Sequence, residues 1–92
     1  MRITYDPAKN LRNIAERSLS FDQAEEFDFE TALIHVDERR DYGETRYVAL
    51  GYLEGRLHVL CFAEAPAGIR VISFRKANSR EVNRYVKVQT PD

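Results

Sequence analysis

The chain has one cysteine, Cys61, in 92 residues. A lone thiol excludes an intramolecular disulfide and any zinc site built from cysteines, and it suits a reducing compartment. No apolar run approaches the roughly 18 residues that suggest a membrane span. Met1 to Lys9 lacks the apolar core of a secretion signal. The sequence therefore predicts a cytoplasmic protein that makes no use of a membrane. There is no glycine-rich phosphate loop and no dinucleotide fingerprint. The two histidines, His35 and His58, stand alone in predicted strands with no second ligand at metal spacing. Each reads as structural, and neither a metal nor a cofactor is expected. The length corresponds to about one domain, so residues 1–92 are expected to form a single unit without a separate cofactor module. Hydrophobic residues make up 43% and charged residues 32%, which is a globular composition.

Lysine and arginine are missing altogether from Ser18 to Glu38, a stretch that holds seven acids. Ile69 to Lys87 is the reverse: Arg70, Arg75, Lys76, Arg80, Arg84 and Lys87 stand against Glu81 alone. The overall charge of −1 thus conceals two oppositely charged segments. Such a chain can turn a basic face to a polyanion and an acidic one to a basic partner, or keep both as solvated surface.

Local signals predict the order β-α-α-β-β-β-β-α. Arg2 to Tyr5 is a strand. Asp6-Pro7 starts a helix over Pro7 to Arg17, with Ala8, Leu11, Ile14 and Ala15 as its apolar stripe. Ser20 and Gln23 form a capping box opening a short helix to Phe27, with Phe21, Ala24 and Phe27 as its buried face. Strands follow at Thr31–Val36, Thr45–Leu53, Arg56–Glu64 and Ile69–Lys76. The middle pair is joined at a tight Glu54-Gly55 turn. Arg56–Glu64 is apolar on both faces, so it belongs in the middle of the sheet. Asn78 and Glu81 cap a last helix to about Val88, which Pro91 stops. The expected fold class is α+β, an antiparallel sheet with packed helices.

Cys61, in the most apolar strand, is expected to be buried and inert. The remaining candidates are charged residues on ordered elements. Lys9, Asn13 and Glu16 share one helix face. Arg46 falls in step with Val48 and Leu50. Arg75 falls in step with Ile69, Val71 and Ser73. An arginine among apolar neighbours needs either an acid partner or an anionic ligand, and guanidinium suits phosphate.

The N-terminal half carries Tyr5-Asp6-Pro7-Ala8-Lys9, Asn13, Leu19-Ser20-Phe21 and Phe27-Asp28. The second half carries Asp41-Tyr42-Gly43-Glu44-Thr45-Arg46, Gly51, Gly55-Arg56-Leu57, the run Ile69 to Ala77, Glu81 and Tyr85. These motifs, the second set more closely, resemble the BrnT family of type II toxins. The resemblance implies a fold similar to RelE-type toxins and a ribonuclease that arrests translation. It also implies a BrnA-type antitoxin, through which DNA is reached only indirectly. Two departures stand out. Tyr5 replaces the usual tryptophan, and Glu16-Arg17-Ser18 replaces a Lys-His-Gly triplet, so the family histidine has no counterpart. Arg17 cannot serve as a base, but it can hold phosphate.

RNA can be cut without metal by attack of its own 2′-hydroxyl on the adjacent phosphorus. Such a reaction needs a proton acceptor, cationic donors and a proton for the leaving oxygen. The expected catalytic set is Lys9, Glu16, Arg46 and Arg75, with Lys9 or Glu16 accepting the proton. The expected RNA contacts are Tyr5, by stacking, with Asn13, Arg17, Arg70, Arg80 and Tyr85. Lys9 and Tyr85 are the candidates for protonating the leaving group. The alternative is a non-catalytic nucleic-acid- or protein-binding module of the same fold.

Overall fold

A computed structural model describes residues 1–90. The elements are β1 (Arg2–Tyr5), α1 (Pro7–Arg17), a 3₁₀ helix (Phe21–Glu26), β2 (Leu33–Val36), β3 (Tyr47–Leu53), β4 (Arg56–Ala65), β5 (Gly68–Lys76) and α2 (Ser79–Gln89). The predicted order holds, and so do the caps. Asp6 accepts from the Ala8 amide at 2.9 Å, and capping boxes open both the 3₁₀ helix and α2. The Glu54-Gly55 turn has both residues at positive φ, 50° and 78°, which suits a two-residue hairpin. Strand β2 starts two residues later than expected. Asp28 instead draws in the Glu30 and Thr31 amides and the Thr31 hydroxyl as a turn. Strand β3 begins at Tyr47 rather than Thr45. The stop assigned to Pro91 lies outside the described residues.

The sheet order is β1-β5-β4-β3-β2, with β4 at its centre as its two apolar faces require. The expectation of a purely antiparallel sheet needs correcting, because β1 runs parallel to β5, Arg2 beside Gly68 and Tyr5 beside Val71. Residues 6–67, about two thirds of the chain, lie between these strands, so no local turn signal could reveal their pairing. Gly68 permits it: a Cβ there would collide with the backbone of Arg2.

A second correction concerns β5. A bulge at Ile72 breaks the alternation, so that Val71 faces Phe62 while Ser73 faces Cys61. Ile69, Val71 and Phe74 therefore point into one core, and Ser73 and Arg75 belong to the other face with Cys61 and Val59.

The first core joins Leu60, Phe62, Val71 and Phe74 to Leu19, Phe21, Ala24 and Phe27 from the segment after α1. Phe27 sits edge-on to Phe29 at 5.0 Å and to Phe74 at 6.1 Å. Such pairs add about 0.5–1.5 kcal/mol each to area burial. The second core is smaller, with Leu50, Leu57 and Val59 covered by Ala77 and Tyr85.

Helix α1 is turned the opposite way from its apolar stripe. Leu11 is 68% exposed and Ile14 41% exposed, and Ala8 and Ala15 also face out. Its buried residues are Asn10 and Asn13. Strand β1 covers β5 only from Gly68 to Val71, and α1 closes part of the remaining edge through side chains. Asn13 donates its amide hydrogens to the carbonyls of Leu19 at 2.9 Å and Phe74 at 3.0 Å. Asn10 accepts from the Phe21 amide at 2.8 Å. Buried backbone groups must find partners, and here that need outweighs the burial of two aliphatic side chains.

Candidate active site

The second sheet face is only partly covered by α2. Beside the helix it is concave, with a cleft of about 640 Å³. Its floor is Val48, Val59, Cys61 and Ser73. One wall is β2 and the loop after it, bearing His35, Asp37, Glu38 and Arg39; the other bears Arg75, Glu81 and Arg84. The strand register explains the layout. His35, Val48, Cys61 and Ser73 are opposed in turn across four strands. Three interstrand steps of about 4.8 Å make the floor about 14 Å wide.

Arg75 is fixed in this cleft by Glu81. Its Nη1 and Nη2 donate to the two carboxylate oxygens, each at 2.8 Å, and Nη1 also donates to the Lys76 carbonyl at 3.3 Å. Glu81 is the N3 residue of the α2 capping box and also accepts from the Asn78 amide at 2.9 Å. A guanidinium has five N–H groups. Among the described residues three are engaged, so that Nε and the second Nη2 hydrogen form a free bidentate edge. Hydrogen bonding from Arg75, then from the Asn78 amide, draws the Glu81 carboxyl down from 4.5 to about 2 against its desolvation.

A depressed carboxyl pKa adds stability above its unfolded value and loses it as pH falls toward the folded one. Melting temperature is therefore expected to fall between about pH 4.5 and 2, and Glu81→Gln should flatten that slope. The effect should be on the order of 1–2 kcal/mol, since the pair is partly screened. A slope unchanged by the substitution would assign the acid sensitivity to other carboxyls. Asp37 is one such group: hydrogen bonding, chiefly from Arg39 and also from Tyr42, holds it far below the usual range.

The expected catalytic residues do not meet in one place. Lys9, Glu16 and Arg17 line a separate groove of about 260 Å³ together with Arg12, Ile72 and Ser73. Among the described residues none of Lys9, Arg12 and Arg17 is in an ion pair. Ser73 borders both groove and cleft, and Arg17 and Arg75 share a shallow depression at the edge of β5. The two sites are thus continuous through Ser73 and Arg17. Arg46 is elsewhere. Its guanidinium lies 4.1 Å from the Tyr42 ring, and Nε donates to Glu44 at 3.2 Å. Arg70 is paired with the same Glu44.

Several expected RNA contacts have other employment. Tyr85 is 4% exposed, and its hydroxyl donates to the Thr31 carbonyl at 2.9 Å. It is a core residue and not a proton donor to a ligand. Tyr5 packs against the first core, edge-on to Phe21 at 5.7 Å, on the face away from the cleft. Asn13 is the α1 clamp described above. Arg80 is exposed on α2 but does not line the cleft.

The two histidines differ. His58 is 4% exposed with Nδ1 2.8 Å from the Arg56 carbonyl, a structural residue as expected. His35 is exposed and lines the cleft. Cys61, expected to be buried, is half-buried in the cleft floor. Alternation within β2 places His35 and Leu33 on one face, but only the sheet order shows that Arg75 lies across from them. Arg84 was legible only as part of the basic segment.

Among the described residues no helix is long and apolar enough to cross a membrane. No curated protein matches the chain. Residues 5–81 match the family model described as the ribonuclease toxin BrnT of type II toxin–antitoxin systems, and the protein belongs to that family.

Proposed function

We propose that this chain cuts single-stranded RNA without a metal ion, that the cut occurs in the cleft, and that the result is translation arrest relieved by a BrnA-type antitoxin. The observation that carries this reading is the free bidentate edge of Arg75, held in place by Glu81 at a concave site. A guanidinium whose orientation is already fixed need not reorganise when charge develops on a phosphorane. The RNA backbone continues across Ser73, and Lys9, Arg12 and Arg17 take the neighbouring phosphates. Glu16 and Lys9 are then strand-side residues of the groove, beside the cut. An antitoxin segment lying across Arg75 and Ser73 would block both cleft and groove, and the fold is one that RelE-type toxins could share.

Of the three cleft carboxylates, Asp37 and Glu81 are each engaged by an arginine, which leaves Glu38 as the one unengaged carboxylate among the described residues, too few for a metal site. Purified protein is therefore expected to cut end-labelled RNA in excess EDTA, giving 2′,3′-cyclic phosphate and 5′-hydroxyl ends. Cleavage that fails in EDTA and returns with Mg²⁺ would overturn the metal-free mechanism. Binding without cleavage under any condition would identify a non-catalytic module.

The groove makes its own prediction. Reversing Lys9 and Arg12 to Glu should weaken RNA binding and lower the salt slope by roughly 1–2, at about 0.7 per single-strand phosphate contact. Both side chains are exposed, so the melting temperature should hardly move. An unchanged salt slope would take the strand path off α1.

A further inference from the structure

We propose that His35 is a catalytic residue that gives a proton to the 5′-oxygen leaving group. The proposal rests on the reading of the cleft as the ribonuclease site. It answers a gap in that site: Tyr85 is locked in the core, and Lys9 lies in the neighbouring groove. A proton donor for the leaving oxygen is still required.

His35 is placed to fill it. It stands on β2, opposite Val48, in the row that crosses the floor through Cys61 to Ser73. The next row runs from Leu33 through Leu50 and Val59 to Arg75. His35 and Arg75 therefore face the same floor from opposite walls, one row apart. A phosphate bound on the free edge of Arg75 would sit on the floor between them. The imidazole is exposed and makes no hydrogen bond among the described residues, unlike that of His58. A histidine placed only for packing would be covered or anchored, as His58 is.

The charges around it are mostly spoken for. Asp37 is bonded to Arg39, and Glu81 to Arg75. What remains facing the imidazole is Glu38 on its own loop, the Cys61 thiol on β4 and Arg84 on α2.

The step balances as follows. The 2′-hydroxyl releases its proton to solvent at the open mouth of the cleft, and the O2′–P bond forms. The P–O5′ bond breaks, and the leaving oxygen takes the proton of the His35 imidazolium. The neutral imidazole then regains a proton from water. The products are a 2′,3′-cyclic phosphate and a free 5′-hydroxyl.

A substrate with sulfur in place of the bridging 5′-oxygen tests the assignment, because a thiolate leaves without a proton. His35→Gln should cut ordinary RNA at least about a hundredfold more slowly, cut the sulfur-bridged substrate close to the wild-type rate, and bind RNA as tightly. Arg75→Ala should be slow on both substrates. If His35→Gln matches wild type on ordinary RNA, or is equally slow on both substrates while Arg75→Ala is inactive, the His35 assignment falls and the cleft reading stands. If the wild-type protein cuts neither substrate, or Arg75→Ala cuts both normally, the cleft reading falls and His35 with it.

Discussion

Arg75→Ala is expected to lower RNA cleavage by roughly a hundredfold or more, the loss typical when one preorganised donor to a developing oxyanion is removed. Two roles for this arginine are joined in the structure. It is ion-paired to Glu81, and it lines the cleft with its second edge unengaged among the described residues. Removal therefore also leaves Glu81 without its main partner. The Arg75 side chain is 39% exposed and that of Glu81 17%, so the pair lies between a surface and a buried one. The stability loss should be about 1–2 kcal/mol, a fall of roughly 5–10 °C in Tm for a domain of this size. At 25 °C such a loss leaves the protein folded. A cleavage defect far larger than the unfolded fraction then belongs to the chemistry. Arg75→Lys should recover little, since an ammonium can meet Glu81 but cannot hold a carboxylate and a phosphate on two edges at once. Glu81→Gln supplies the complement: similar destabilisation, with the guanidinium retained but less firmly aimed. The proposed role fails if Arg75→Ala and Glu81→Gln lose activity only in proportion to the fraction unfolded.

The elements were legible in the sequence because their signals are local. Asp6-Pro7, Ser20 with Gln23, Asn78 with Glu81 and Glu54-Gly55 each fix a boundary within a few residues. The central place of β4 was legible too, since a strand apolar on both faces can lie only inside a sheet. What escaped was set by distant partners. The parallel pairing of β1 depends on β5, at the other end of the chain. The bulge at Ile72 shifts Arg75 out of step with Ile69 and Val71, and a strict period of two cannot anticipate one extra residue. The candidate site suffered most. Arg75 was singled out from its chemistry and Arg17 from the family resemblance, while Arg46 was assigned to catalysis and Tyr5 and Tyr85 to RNA; in the structure these last three engage Glu44, Phe21 and the Thr31 carbonyl. His35 was set aside as structural because nothing near it in sequence is a ligand. Its neighbours across the sheet are what give it a setting.

Helix α1 offers the sharpest test of that lesson, through Asn13→Leu set against Leu11→Gln. By periodicity alone, Leu11 belongs to the buried stripe and Asn13 to the polar face, so the first change should stabilise and the second should damage. The structure reverses the order. Asn13 is 7% exposed, and its amide bonds the Leu19 and Phe74 carbonyls. Leucine is close to asparagine in size but can donate nothing, so two buried carbonyls lose their partners. At about 1–3 kcal/mol per unsatisfied group, and with some recovery from leucine's apolar contacts, the net loss should be about 2–4 kcal/mol. Tm should fall by more than about 10 °C. Leu11 is 68% exposed, so Leu11→Gln should stay within about 0.5 kcal/mol of wild type. The substitution at Asn13 should also reach the site. Its bond to Phe74 ties α1 to the uncovered edge of β5, and Arg17 donates to its Oδ1 at 3.5 Å. Loosening that clamp frees Arg17 from its place beside Arg75. RNA affinity should drop at temperatures where the protein is still folded, while Leu11→Gln binds normally. A larger loss of stability from Leu11→Gln than from Asn13→Leu would show that α1 packs on its apolar stripe after all, and would remove the groove of Lys9, Arg12 and Arg17 from the RNA path.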